Sequence, residues 1–299
     1  MKKLILSSLV LMTALVAQAQ MKIAPKLEKG FKAVYVETGE INSAGTAMKA
    51  TAETQYVVTD VTATGAVIEV TQLTSDVVPT DASAPNPMAE IMAAAMKATS
   101  GVTIKVATDA DGQPLKILNI DEVQTQSKKS LEAILDPIYA KTPQLAQAAP
   151  KETLIEQLSS KLKEESLISG MKNSVDVMSL NGKTVANGAT DEYTNQDGMK
   201  MKRMYFVMGK NVICNSNLSM TKDELKAFII QQVEKEAPEQ AKMIKDNIDM
   251  VVGAMKFEMN EKGTYEFQEN GWPKSIKTEK KQELMGQTMS SKSVITLKQ

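Results

Sequence analysis

Between residues 48 and 58 the chain alternates: Met48, Ala50, Ala52, Tyr56 and Val58 fall in one phase, Lys49, Thr51, Glu53 and Gln55 in the other. Side chains of an extended chain point to opposite faces with period two, so this run predicts a strand with one face on a core and one in water. That pattern belongs to antiparallel sheets, because parallel sheets are covered on both faces and read as unbroken apolar runs. More strands follow. Residues 31–38 are apolar and rich in β-formers, and 66–74 follow a turn ending at Gly65. Ile104 and Val106 share a face before the hairpin dipeptide Asp111-Gly112, and 115–119 return from it. Later, 199–208 and 211–218 pair around Gly209, and 256–259, 264–268, 272–283 and 288–298 close the chain as strands. Asn181-Gly182 and Asp197-Gly198 are further hairpin signals.

Helical spacing interrupts the strands. Residues 87–99 form a short helix, and 121 to about 135 a second, with Asp121 as its expected N-cap. Leu154, Leu158 and Leu162 make an i, i+4, i+8 stripe. Thr221 and Glu224 have the spacing of a capping box and open a helix that aligns Leu225, Phe228, Ile229 and Val233. Another helix starts at Pro238 and aligns Ala241, Ile244, Ile248, Val251 and Met255. Residues 78–87, with three prolines, read as a loop, and 140–150, rich in Ala, Gln and Pro, as a linker.

One turn sequence occurs twice. Asp111-Gly112-Gln113-Pro114-Leu115-Lys116-Ile117 and Asn270-Gly271-Trp272-Pro273-Lys274-Ser275-Ile276 share the pattern [DN]-G-x-P-x-x-I, each after several strands and a helix. The order strands, helix, hairpin therefore occurs twice, as a duplicated unit would give; two independent choices of a favoured turn would look the same. The expected fold is α+β: a curved antiparallel sheet with amphipathic helices on one face. It is expected as one body of two related halves, 20–145 and 146–299.

Residues 1–19 read as a secretory signal peptide. Lys2 and Lys3 precede a thirteen-residue apolar run over 4–16, and Ala17-Gln18-Ala19 is a small-x-small cleavage site that leaves Gln20 first. The run is shorter than the ~20 apolar residues a spanning helix needs. A periplasmic or secreted protein with no transmembrane segment in its mature chain is expected. Removing Lys2 and Lys3 from the 35 basic groups leaves 33 against 36 acidic, a net charge of −3, which offers nothing to nucleic acid. Cys214 is the sole cysteine, so no internal disulfide forms and the core alone must hold the fold. Its apolar setting reads as a buried small hydrophobe.

Histidine is absent. Ser-His-Asp and Cys-His catalysis and His-ligated zinc are thereby excluded. The remaining motifs are incomplete. Asp109-x-Asp111-Gly112 lacks two calcium-loop ligands, because Ala107 and Leu118 fall where they belong. Gly182-Lys183-Thr184 lacks the first glycine of a phosphate loop, which Val177 replaces. Ser160-x-x-Lys163 lacks the partner motifs of penicillin-interacting enzymes. Met199, Met201, Met204 and Met208 could offer thioethers to Cu(I), but on a strand they divide between opposite faces. No metal, no cofactor and no enzymatic activity are expected.

Ala17-Gln18-Ala19-Gln20, Leu27-Glu28-Lys29-Gly30 before the first strand and the turn at Asp111-Gly112 together resemble an uncharacterised family of secreted Bacteroidota proteins of about 300 residues. That family implies no activity. More distantly, a curved antiparallel sheet with helices on one side resembles the periplasmic lipoprotein-carrier fold (LolA-like).

Two roles are expected from this reading. The first is a non-enzymatic binder or carrier of an apolar ligand such as lipid. The second is a structural or protein-interaction module of the cell envelope with no small ligand. Met88, Met92 and Met96 recur at i, i+4, i+8, with Ile91 and Ala95 beside them. Thioethers on a helix of small residues make an adaptable apolar surface, so these five are the expected ligand contacts, on a helix that the proline-rich loop would let act as a lid. Permanent packing against the sheet is the competing reading. Intact-mass analysis of the secreted form is expected to give a chain that starts at Gln20; retention of Met1 would refute the cleavage.

Overall fold

A computed structural model describes residues 20–43, 46–80, 87–143, 150–160, 162–195, 198–236, 238–254, 257–284 and 287–298. The first strands are β1 (Gln20–Lys22), β2 (Lys32–Ser43), β3 (Thr46–Val61) and β4 (Gly65–Pro79). Then come α1 (Pro87–Lys97), β5 (Thr103–Asp109), β6 (Pro114–Ile117), α2 (Ile120–Lys141), α3 (Lys151–Ser160) and α4 (Glu164–Asn173). The rest is β7 (Thr184–Ala186), β8 (Thr190–Thr194), β9 (Lys200–Met208), β10 (Asn211–Leu218), α5 (Lys222–Glu236), α6 (Pro238–Asp246), α7 (Ile248–Ala254), β11 (Glu258–Phe267), β12 (Pro273–Leu284) and β13 (Gln287–Leu297). Among these described residues no helix is long and apolar enough to cross a membrane.

The fold is α+β. Eleven strands form one antiparallel sheet in the order β6-β5-β4-β3-β2-β13-β12-β11-β10-β9-β8, while β1 pairs with β7. Strands from both sides of residue 145 thus lie in one ladder, joined where Ile295 of β13 faces Glu37 of β2. Along the sheet, β6 to β2 and β12 to β8 follow the same internal order, with β13 between them. One face is buried. On β9 Met201, Arg203, Tyr205 and Val207 point inward, and Lys202, Met204 and Met208 point to water. The helices cover parts of the inner face: α1, α2 and α3 meet through Ile91, Leu131, Leu135 and Ile155, and α5 and α7 through Leu225, Ile229 and Val252.

The sheet is strongly curled, and its two matching turns show by how much. β5 and β12 stand five strands apart, which in a flat sheet is about 24 Å at ~4.8 Å per strand. Yet both turns touch one residue. A Cβ built on Gly112 would lie 2.9 Å from Pro25 Cγ, and one on Gly271 2.9 Å from Pro25 Cα. The strap 23–26 therefore plugs one end of the curl. Ile23 N–H donates to Lys183 O (2.9 Å), Gly182 N–H to Ile23 O (2.8 Å) and Lys26 N–H to Asn270 O (2.7 Å). The Trp272 indole N–H donates to Lys26 O (3.1 Å), and its ring stacks on Phe31 with centroids 4.9 Å apart. Trp272, Tyr35, Tyr265 and Ile23 are the largest of the most fully buried side chains of the main core.

Several local expectations change. The second helix starts at Ile120 with Asn119 as N-cap, not at Asp121, and no side chain caps it. Asn119 is engaged elsewhere: its Oδ1 accepts Lys105 N–H (2.8 Å) and its Nδ2 donates to Thr103 O (2.9 Å). That helix runs through Pro137 to Lys141, taking the first residues of the expected linker, and 144–149 lie outside the described residues. The helix expected from Pro238 is two, because the Asn247 side chain donates to Met243 O (2.8 Å) and so competes for a helical carbonyl. Leu162 lies beyond the end of α3, off its helical stripe. The capping box at Thr221 forms as read, with Glu224 N–H donating to Thr221 Oγ1 and Thr221 N–H to Glu224 Oε2.

Gly271 has φ +79°, and an added Cβ would lie 2.6 Å from Ala24 O. Gly188 has φ +74° with open space around it. Gly188→Ala is expected to cost about 1–2 kcal/mol, the strain of a left-handed L-residue alone. Gly271→Ala adds a backbone clash and should cost more than about 3 kcal/mol. Urea unfolding of the two variants measures the difference.

Candidate functional site

Period-two alternation aims pairs of side chains from neighbouring strands into one concavity. Tyr35 and Glu37 of β2, Thr54 and Tyr56 of β3, and Val70 and Gln72 of β4 all face inward. Register aligns them: Tyr35 opposes Thr54, which opposes Gln72, and Tyr56 opposes Val70, which opposes Ile104. A bulge at Leu73 shifts the β3–β4 register just beyond Gln72. The extra residue reverses which side chains of β4 point inward, so Val77 is buried and Val78 exposed. Val123 and Ser127 of α2, Leu167 of α4 and Val175, Asp176 and Val177 behind α4 form the opposite wall. A cavity of about 320 Å³ lies between them.

Its walls are of two kinds. Val70, Val102, Ile104, Val123, Leu162 and Ile295 make an apolar side; Glu37, Asp176 and the two tyrosines make a polar one. Tyr56 OH donates to Asp176 Oδ1 (3.3 Å), and Val177 N–H donates to the same oxygen. Tyr35 OH donates to Pro273 O (2.8 Å), leaving its ring edge-on to Tyr56 at 5.6 Å. Thr99 Oγ1 donates to Gln72 Oε1 (2.5 Å). Ser127 Oγ, on a residue 1% exposed, has no hydrogen-bond partner among the described residues. Burial pushes the Asp176 carboxyl above its ordinary value, opposed only by the bonds from Val177 and Tyr56. Burial also raises Glu37, which Ser293 opposes by a hydrogen bond and the Asp176 charge reinforces.

A second polar cluster, on β8 and β9, has different chemistry because its charges are paired. Lys183 Nζ lies 2.5 Å from Asp191 Oδ2, and Tyr205 OH donates to that oxygen (2.7 Å). Burial works to raise Asp191, but Lys183 and Tyr205 hold its carboxyl below the usual range. Arg203 donates to Asn173 O (2.8 Å) and stacks over the Tyr193 ring at 4.2 Å. This cluster joins α4 to the sheet. Cys214 is buried beside it, and desolvation pushes its thiol up to about 12, so it carries little thiolate at neutral pH.

Of the five expected ligand contacts on α1, two are described, and both pack into apolar clusters. Ile91 is 4% exposed and packs on Leu131 and Leu135, while Met96 packs against Met48 and Val77. The side chains of Met88, Met92 and Ala95 lie outside the described residues, as do Ala17 and Ala19. Gln20 opens β1 opposite Ala186. Among the described residues the cavity lining takes none from α1 and includes Thr99 and Val102 just beyond it. Asp109 Oδ1 accepts N–H bonds from Asp111 (3.0 Å) and Gln113 (2.8 Å), the geometry of a plain turn. Lys183 points to Asp191 rather than to a phosphate loop. Met199 and Met201 are buried, whereas Met204 and Met208 are 40% and 59% exposed. The cavity residues carried one signal in the sequence, the i, i+2 pairs Tyr35/Glu37 and Thr54/Tyr56; nothing local pointed from these to Asp176.

An acid raised by burial favours the fold when protonated and opposes it when charged. The contribution of Asp176 is therefore fully present below its unfolded value of 3.8 and lost as pH rises through its higher folded value. Asp176→Asn keeps an acceptor for Tyr56 and Val177 without the charge. It is expected to melt above wild type at pH 7, with the gap closing toward pH 4. Thermal melts across that range check this, and equal pH slopes would refute it.

No protein-family model matches the chain, and no curated protein matches it. Among solved structures it is similar to a chain described as showing lipid–protein interactions in lipovitellin, with a TM-score of 0.38 and 9% sequence identity. The alignment covers 92% of this chain and 26% of that one, so this chain spans about a quarter of the lipovitellin chain.

Proposed function

We propose that the protein is an exported, non-enzymatic binder or carrier of a small amphipathic ligand, held between the curled sheet and α2. Export rests on the signal-like residues 1–19. Binding rests on one observation: a cavity of about 320 Å³ whose lining mixes apolar side chains with two carboxyl groups, two tyrosines and the unpartnered Ser127 hydroxyl. That volume is at the lower end of small-molecule sites, about 300–1,000 Å³. It suits a short-chain amphipath or one segment of an acyl chain, not a whole diacyl lipid. Among the described lining residues no serine or threonine hydroxyl is bonded to a carboxylate, which favours binding over turnover. The shared internal order of β6–β2 and β12–β8 further supports a duplicated α+β unit whose two copies share one sheet.

A second reading, an envelope interaction module, draws on Met243 and Met250, which stand 60% and 64% exposed on α6 and α7. Exposed apolar groups of this size mark contact surfaces when they cluster. Native mass spectrometry of protein purified from its own extracytoplasmic fraction separates the two. The binder reading expects a bound small molecule that Ser127→Phe, which fills the cavity, removes. The module reading expects a bare chain with a reproducible protein partner lost on Met250→Glu. Ser127→Ala deletes an unpartnered hydroxyl, so it should leave stability unchanged or raise it by up to about 1 kcal/mol. A loss of 2 kcal/mol or more in that variant would mean the hydroxyl has a partner.

A further inference from the structure

We propose that the cavity's ligand is an amphipathic organic cation, an ammonium group on a short apolar body, received by Glu37, Asp176 and the faces of Tyr35 and Tyr56. This inference rests on the binder reading above and names its ligand class. The charge of the lining is one-sided: two carboxyl groups and no lysine or arginine among the described lining residues. The contrast with the neighbouring cluster is direct. There, Asp191 is neutralised by Lys183 at 2.5 Å. Here, Asp176 receives only neutral donors, Tyr56 OH and Val177 N–H, and both reach the same oxygen, Oδ1. A buried carboxylate without a counter-charge is expensive to hold, and a ligand cation beside it supplies what the chain omits.

The aromatic groups fit the same chemistry. Cations are drawn to tyrosine rings within about 6 Å of the centroid, and Tyr35 and Tyr56 both line the cavity with the two acids. Ser127 Oγ adds an unpartnered oxygen on a residue 1% exposed, from the opposite wall, where it can accept from an ammonium N–H. Size limits the body of the ligand. At ~30 Å³ per water-sized group, 320 Å³ holds about ten non-hydrogen atoms, a head group and a chain of about eight carbons. The apolar wall of Val70, Ile104 and Val123 receives that chain. A fatty carboxylate fits the same wall but would bring a third negative charge to two acids already raised by burial, which charge repulsion disfavours.

Isothermal titration of the mature chain with octylamine, octanol and octanoate tests this at neutral pH. The expected order is octylamine tightest and octanoate weakest, with octylamine preferred over octanol by about tenfold or more. Asp176→Asn and Glu37→Gln should each reduce that preference by about tenfold, with circular dichroism and melting showing both variants folded. Octanol or octanoate binding as tightly as octylamine, with Ser127→Phe blocking them, would overturn the cation proposal and leave the binder reading intact. An octylamine preference unchanged in both acid variants would also overturn it. Failure of all three probes to bind wild type would overturn both readings.

Discussion

Pro25 is the point at which the curvature of this sheet is fixed. A strap of four residues, 23–26, passes between the β5–β6 turn and the β11–β12 turn and is hydrogen-bonded to Gly182 and Lys183 as well. Strands that would be about 24 Å apart in a flat ladder are thereby held within contact of one proline ring. Gly112 and Gly271 make this approach feasible because neither has a Cβ, and both sit at positive φ where an L-residue is strained. Trp272, buried next to the second turn, converts the closure into a core through Phe31 and Tyr56. With no disulfide available, this packing at one end of the curl takes the place of a covalent clasp.

Curvature in turn produces the cavity. A flat sheet would let α2 and α4 lie on it without a gap, whereas a curled one leaves space between its concave strands and straight helices. That space is lined by residues brought from β2, β3, β4, α2 and the segment behind α4, so its chemistry is assembled from distant parts of the chain. Two inward-facing acidic groups, Asp176 in the cavity and the half-buried Asp191 outside it, differ in kind. Asp191 has a lysine and a tyrosine and ties β8 to β9 and to the segment before β7. Asp176 has no cation among the described residues and lines the cavity. Paired charges hold a structure; an unpaired one in a cavity is available to a ligand.

Hydrophobic period and turn chemistry are local properties, and where they alone decide, the chain is legible. The alternation at 48–58 became the centre of β3, the [DN]-G-x-P turns became hairpins, and Thr221 and Glu224 capped α5. Legibility failed where a polar side chain had a competing partner. Asn119 bonds β5 and leaves α2 without a side-chain cap, and Asn247 divides what periodicity joined. The methionine helix shows a different limit. Its spacing disclosed an apolar stripe but not what the stripe packs on, and Ile91 and Met96 meet two different apolar clusters.

By itself, then, the sequence determined the class of fold and the kinds of chemistry that are absent. Period two over many short runs requires an antiparallel sheet, and a chain without histidine and with one cysteine has no His-based or disulfide chemistry to use. The tertiary structure alone decided where an unpaired carboxylate would sit. Glu37 and Asp176 are separated by most of the first half of the chain, and neither differs in its local surroundings from other acids of this sequence. Their meeting depends on the inward phase of β2 and on the packing of the segment after α4 against the sheet. Each of these is a long-range geometric consequence of packing, which a residue's immediate neighbours do not encode.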